Sequence, residues 1–178
     1  MVELAIKIEI DVLKKPIGKQ DHYPACYGGI NFYKFNKNDS VNISKNIISK
    51  KNLSIILSNS LLFWTGITRS ADTILKKQNS NHKKNTKILN EIRDITMNVK
   101  KLFEYKKLDI EGLGKQMDRS WKLKKNLANG ITNNKLEAAY SIALKNGAIG
   151  GKILGAGGGG FILFIAKKKI PYSDRKES

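Results

Sequence analysis

The chain has 178 residues, with 33 Lys and Arg against 15 Asp and Glu, a formal net charge of +18, 40% hydrophobic residues and one cysteine. That length suits one domain or one and a fraction, and this apolar content supports a folded core rather than wholesale disorder. Cys26 has no partner for a disulfide, no apolar run approaches the roughly 20 residues of a membrane-spanning helix, and the acids within MVELAIKIEIDVLKK argue against a signal peptide. A reducing cytoplasmic setting is expected, with no membrane partner.

Residues 3–15 predict a helix: Ala5, Ile8, Val12 and Lys15 share a face, and Pro16 ends the run. A polar, glycine-bearing loop follows from Gly18, with Cys26 expected to fill a small packing site. Residues 30–35 and 41–44 alternate as strands, with turn chemistry at 36–40. Residues 53–57 and 61–64 are apolar enough to predict two more strands, the second ending at Thr65-Gly66. Thr68 or Ser70 is placed to cap a helix through Ile74 and Leu75, and 78–87 reads as a polar loop. Helical spacing returns at Ile88, Ile92, Ile95, Val99, Leu102 and Phe103. Leu113, Met117, Trp121 and Leu127 mark a second helix ending near Gly130. Leu136, Ala139, Tyr140, Ala143 and Leu144 mark a third, ending at Gly147. Lys152–Leu154 and Phe161–Ile165 then flank Gly155–Gly160 as strands. The order helix, strands, helices, strands is that of an α+β fold.

The charge invites a nucleic-acid reading, but nearly all of it is lysine, with only Arg69, Arg93, Arg119 and Arg175 carrying the guanidinium fork that base and phosphate recognition favours. The lysines are scattered, with short clusters at Lys14-Lys15, Lys83-Lys84 and Lys167–Lys169. They read as solvated faces and compositional drift, so nucleic acid is not an expected partner.

Gly155, Gly157 and Gly160 satisfy G-x-G-x-x-G, yet the context is wrong for a dinucleotide fingerprint, which must open a helix inside a strand–helix–strand unit. Here Phe161–Ile165 is apolar at every position and reads as a buried strand. No Lys-Ser/Thr follows the glycines, so the loop is not a Walker loop. Strand, glycine turn, strand remains: backbone N–H groups bared for a phosphate, or a tight turn that lets another segment approach. Upstream, Asp21 sits with Lys19, Gln20 and His22. A carboxylate there can orient or deprotonate a hydroxyl while Lys19 meets negative charge, or the segment is an ordinary surface loop. His22 and His82 with one cysteine make no recognisable metal spacing.

Taken together, the two segments carry a resemblance. Gly18-Lys19-Gln20-Asp21-His22-Tyr23, followed by Gly28-Gly29-Ile30-Asn31-Phe32, resembles the G-x-x-D-Q segment of the GHMP small-molecule kinases. Lys152–Phe161 resembles that family's glycine-rich third motif, while Thr65–Ala71 and Trp121–Lys125 look like its sugar-phosphate branch. The motifs occur in order over residues 3–168. The resemblance implies ATP-dependent phosphorylation of a sugar phosphate hydroxyl, in the heptose branch the O1 hydroxyl of a 7-phosphate. It implies a catalytic role for Asp21 with Lys19, acceptor contacts from Gln20, His22, Thr68 and Arg69, and nucleotide phosphates against Gly155, Ala156, Gly157, Gly158, Gly159 and Gly160.

His22 stands where the family has Gln. The family's main phosphate loop, a Pro-x-x-x-Gly-Leu-Gly-Ser-Ser-like segment, precedes the helix equivalent to residues 3–15, and ligands for Mg2+ come mainly from that half. The implied fold is a ferredoxin-like α+β GHMP kinase C-terminal domain with a remnant of the ribosomal-protein-like N-terminal domain. The remnant is expected at 1–30, the C-terminal domain at 31–170 and a polar tail at 171–178. Such a chain is expected to be weak or inactive alone, and to expose apolar surface suited to a homo-oligomer or a partner chain. A non-catalytic sugar-phosphate-binding or subunit-interaction fragment, a basic nucleic-acid-binding protein, and another acceptor such as mevalonate are the alternatives.

Overall fold

The computed structural model describes residues 1–68, 71–80 and 83–167. Helix α1 (Val2–Ile6) runs on into a wider π-type segment, Lys7–Val12, in which the Leu13 N–H donates to the Ile8 carbonyl at 2.9 Å. Ile6 turns inward, while Leu4, Ile8 and Val12, four residues apart, stay exposed along one stripe. A short turn, Lys19–Asp21, feeds α2 (His22–Tyr27) inside what the sequence reads as loop. Cys26 is exposed on α2 and fills no packing site.

Strands β1 (Phe32–Phe35) and β2 (Val41–Ser44) form an antiparallel hairpin with Tyr33 opposite Ile43. The Tyr23 ring packs against Tyr33 and Phe35, centroids 5.6 and 5.5 Å away, so an aromatic cluster ties the hairpin to α2 across the boundary expected at residue 30.

The expected strand at 53–57 is instead helix α3 (Lys50–Ser58). Two side chains decide it. Ser49 Oγ accepts the Asn52 N–H and caps the helix. Asn52, 1% exposed, donates to the Tyr105 carbonyl and accepts from the Leu108 N–H, pinning the helix to a distant turn. Asn52→Ala leaves both groups without their partner and is expected to cost about 1–3 kcal/mol, read as a lower urea midpoint at unchanged slope.

Strand β3 (Ser60–Trp64) leads to α4 (Ala71–Ser80), which continues two residues past the start of the expected loop at 78. Its proposed cap Ser70 lies outside the described residues. Helices α5 (Thr86–Glu104), α6 (Ile110–Lys124) and α7 (Asn134–Lys145) follow, with Asp109 and Asn133 capping the last two. Leu127 falls in the turn after α6 rather than on it, but is buried. Strands β4 (Ala148–Ile153) and β5 (Phe161–Ala166) complete an antiparallel sheet of order β3-β5-β4.

Trp121, Ile131, Ile153, Ile162 and Phe164 form the centre of the core. Helix α6 lies close on β4 because both surfaces are glycine: a Cβ at Gly150 would sit 2.1 Å from the Gly114 carbonyl. Many lysines pair along the outer faces, among them Lys115 with Glu111, Lys122 with Asp118 and Lys125 with Glu137. Among the described residues no helix is long and apolar enough to cross a membrane.

Candidate functional site

Helix α1 supports the acidic loop from beneath. Tyr23 is 4% exposed and its hydroxyl donates to Glu3 Oε1 at 3.0 Å; burial, then the Glu3 hydrogen bond and charge, raise its pKa. His22 also points inward, with Nε2 3.5 Å from Glu9 Oε2 and neither ring nitrogen in a hydrogen bond among the described residues. Asp21 is left exposed at the turn between these anchors, as is Gln20. Lys19 reaches Asp39 in the β1–β2 turn at 3.1 Å and so ties loop to hairpin.

The glycine turn is welded at one end and open at the other. The Gly158 N–H donates to the Ile131 carbonyl at 2.7 Å, and the Gly160 N–H to the Ile67 carbonyl at 2.9 Å. The Gly160 carbonyl accepts from both the N–H and the hydroxyl of Thr65. A Cβ at Gly157 would meet the Ile131 carbonyl at 2.8 Å, and one at Gly159 the Ile67 carbonyl at 2.4 Å, so both positions need glycine for backbone approach. The N–H groups of Gly155, Ala156, Gly157 and Gly159 make no hydrogen bond among the described residues. The turn therefore combines close backbone packing at Gly157 and Gly159 with amides that carry no hydrogen bond among the described residues at Gly155, Ala156, Gly157 and Gly159.

Two lysines complete the site. Lys124, at the end of α6 and half-buried, donates from Nζ to the Gly155 carbonyl. Burial first, and then the Lys152 ammonium, pull its pKa down to about 8, while Asp21 opposes them. Lys152, on β4 at the entrance to the glycine turn, is lowered by burial as well. Neither makes an ion pair among the described residues. Lys124 is thus felt by the acidic loop and bonded to the glycine turn, 134 positions apart in the chain at Asp21 and Gly155. In the sequence these two stand only within the Trp121–Lys125 and Lys152–Phe161 motifs, and the abundance of lysine masks that both are half-buried without a carboxylate partner among the described residues.

A cleft of about 190 Å³ opens beside the turn, lined by Trp64, Ile67, Thr68, Leu154 and the loop residues Ala156 to Gly160 apart from Gly158. It brings Thr68 to the glycines, whereas Arg69 lies outside the described residues. A larger cavity of about 310 Å³, between the end of α4 and the turn after α6, contains none of the expected site residues.

Residues 99–171 match the family model "GHMP kinases C terminal". Over 176 residues it is 32% identical to the D-glycero-alpha-D-manno-heptose 7-phosphate kinase of Campylobacter jejuni, covering 97% of this chain and 51% of that protein. A Campylobacter jejuni structure described as a sugar kinase is similar at 29% identity and a TM-score of 0.59, over 93% of this chain and 46% of that one. The L. major mevalonate kinase crystallised with R-mevalonate shares the fold at a TM-score of 0.63 and 19% identity, over 85% of this chain and 44% of that one. The chain spans about half the length of these relatives.

Proposed function

We propose that this chain supplies the acceptor-side carboxylate and the glycine turn of an ATP-dependent sugar-phosphate kinase, with a heptose 7-phosphate as acceptor at O1. The observation that carries the reading is the convergence of Asp21, Lys124 and the Gly155 end of the turn from three separate parts of the chain. The sugar hydroxyl attacks the terminal phosphorus of ATP; the new O–P bond forms as the bond to the leaving ADP oxygen breaks. Asp21 orients the hydroxyl and takes its proton. In a loose phosphoryl-transfer transition state, positioning and charge matter more than base strength. Thr68, beside the cleft, and Gln20, on the acidic loop, suit the acceptor, while His22 acts from below as a positioning residue.

The bared amides of Gly155, Ala156, Gly157 and Gly159 fit nucleotide phosphates. Among the described residues no three His, Cys, Asp or Glu side chains gather, so Mg2+ is assigned no ligands here. The remainder of the nucleotide site is assigned to the half of the relatives that this chain does not span. The test is ADP release from ATP and heptose 7-phosphate, with and without a polypeptide covering that half. No turnover in either arm would sink the reading.

A second reading, an interaction fragment, is favoured by the stripe Leu4, Ile8 and Val12, which are 62%, 45% and 66% exposed. It fits a partner polypeptide or a second copy. Sedimentation is expected to show a mass rising with concentration, and Leu4→Ser with Ile8→Ser to return a monomer. A wild-type monomer at every concentration, unaltered by the other half of the relatives, would remove it.

A further inference from the structure

Three other features stand apart from the site: the α1 stripe, which carries the second reading of function; the 310 Å³ cavity, whose polar lining includes Asn85 with its amide donated to the Leu127 carbonyl; and the exposed Trp64–Phe161 pair, whose rings meet in a tilted contact with centroids 5.0 Å apart. None leaves an unmet chemical demand. Lys124 and Lys152 do.

Resting on the kinase reading above, we propose that Lys124 and Lys152 form a two-lysine anion site that binds a phosphate group beside Asp21, either the acceptor's own phosphate monoester or the phosphoryl in transfer. Lys124 is bonded to Gly155, three residues along the chain from Lys152, and two ammonium groups so placed, both partly withdrawn from water, are costly without a counterion. The other helix lysines nearby, Lys122 and Lys125, each have a carboxylate at 2.6 and 2.8 Å. Lys124 has a neutral carbonyl instead, and the Lys152 side chain has no hydrogen bond or ion pair among the described residues. Asp21 forms no ion pair with either lysine among the described residues, so neither ammonium is neutralised by the carboxylate of the acidic loop. The Gly155 and Ala156 amides lie on the turn whose carbonyl holds Lys124, make no hydrogen bond among the described residues, and add donors of the same sense.

The pH dependence follows from the groups that face Lys124, namely Lys152 from β4 and Asp21 from the acidic loop. Below about 8 the Lys124 ammonium is charged and holds the anion; as pH rises through about 8 it becomes neutral and affinity falls. A bound dianion raises the pKa again, so binding above that pH takes up protons.

The test is competitive acylation of the wild-type full chain with trace acetic anhydride at pH 8, read peptide by peptide, with Lys122 as internal reference. Heptose 7-phosphate, unphosphorylated heptose, ATP and inorganic phosphate are compared, and binding of each is followed in parallel by calorimetry. Lys124 is expected to be protected roughly tenfold at a ligand concentration about ten times the dissociation constant. Protection by heptose 7-phosphate alone assigns the site to the acceptor's phosphate; protection by ATP assigns it to the terminal phosphoryl. Protection by inorganic phosphate, with neither sugar phosphate nor ATP binding, keeps the anion site and removes the kinase reading. Binding of sugar phosphate or ATP without protection of Lys124, or no protection by any probe, overturns the proposal. Lys124→Arg should retain calorimetric affinity and Lys124→Met lose it, with an unchanged thermal midpoint separating this from misfolding.

Discussion

Asp21→Asn is expected to lower phosphoryl transfer by about 10²–10⁴-fold, the range for loss of a positioned proton acceptor. The substitution is isosteric, at an exposed position in a turn anchored by other residues: Tyr23 on Glu3, His22 against Glu9 and Lys19 on Asp39. The loop should therefore keep its shape, and a change in stability within about 0.5 kcal/mol is expected. The loss should appear in kcat with KM for the sugar phosphate little altered, because the proton moves only as the hydroxyl reacts. A second readout is independent of turnover. Asp21 is the charge that raises the Lys124 pKa against burial and Lys152, so removing it should move that pKa further below about 8. Amine reactivity of Lys124 against pH would report the shift even in a chain with no turnover. Wild-type turnover in Asp21→Asn would remove the carboxylate from the chemistry; an unchanged Lys124 titration would separate the acidic loop from the glycine turn.

Fold class and most of the helices were legible because their signals are periodic. The apolar residues of α5 and α7 recur at helical spacing, and the Asn133 cap and Gly147 bound the latter. Residues 53–57 form a helix where a strand is expected because Leu53, Ile55, Ile56 and Leu57 over so short a run satisfy strand and helix alike. Long-range bonds from Asn52 to Tyr105 and Leu108 decided the outcome, and no local pattern encodes them. The packing of Tyr23 on Tyr33 and Phe35 is likewise set by the hairpin's tertiary position and has no local sequence signal. In the site, Asp21 and the glycines stood out by motif. Lys124 did not, because what distinguishes it from the other lysines is its setting at the end of α6, half-buried and lacking a carboxylate.

Gly157→Ala should destabilise the chain by roughly 2–5 kcal/mol. Gly157 has φ +106°, a conformation that costs an L residue about 1–2 kcal/mol, and its new Cβ would stand 2.8 Å from the Ile131 carbonyl. Ile131 is fully buried beside Trp121 and accepts the Gly158 N–H, so yielding there disturbs the core, at about 1–3 kcal/mol for overpacking. Each kcal/mol lowers the thermal midpoint by roughly 2–4 °C in a chain of this size. Gly155→Ala is the informative comparison. Gly155 also has positive φ, at +68°, but open space surrounds its Cβ position, so only the conformational cost of about 1–2 kcal/mol applies. A methyl there lies at the open end of the turn, next to the carbonyl that holds Lys124. Gly155→Ala is therefore expected to keep the fold while weakening phosphate binding, whereas Gly157→Ala should lose both together. Equal thermal losses for the two would mean that the turn is not anchored through Ile131, and the division between a welded and a ligand-facing end would fail.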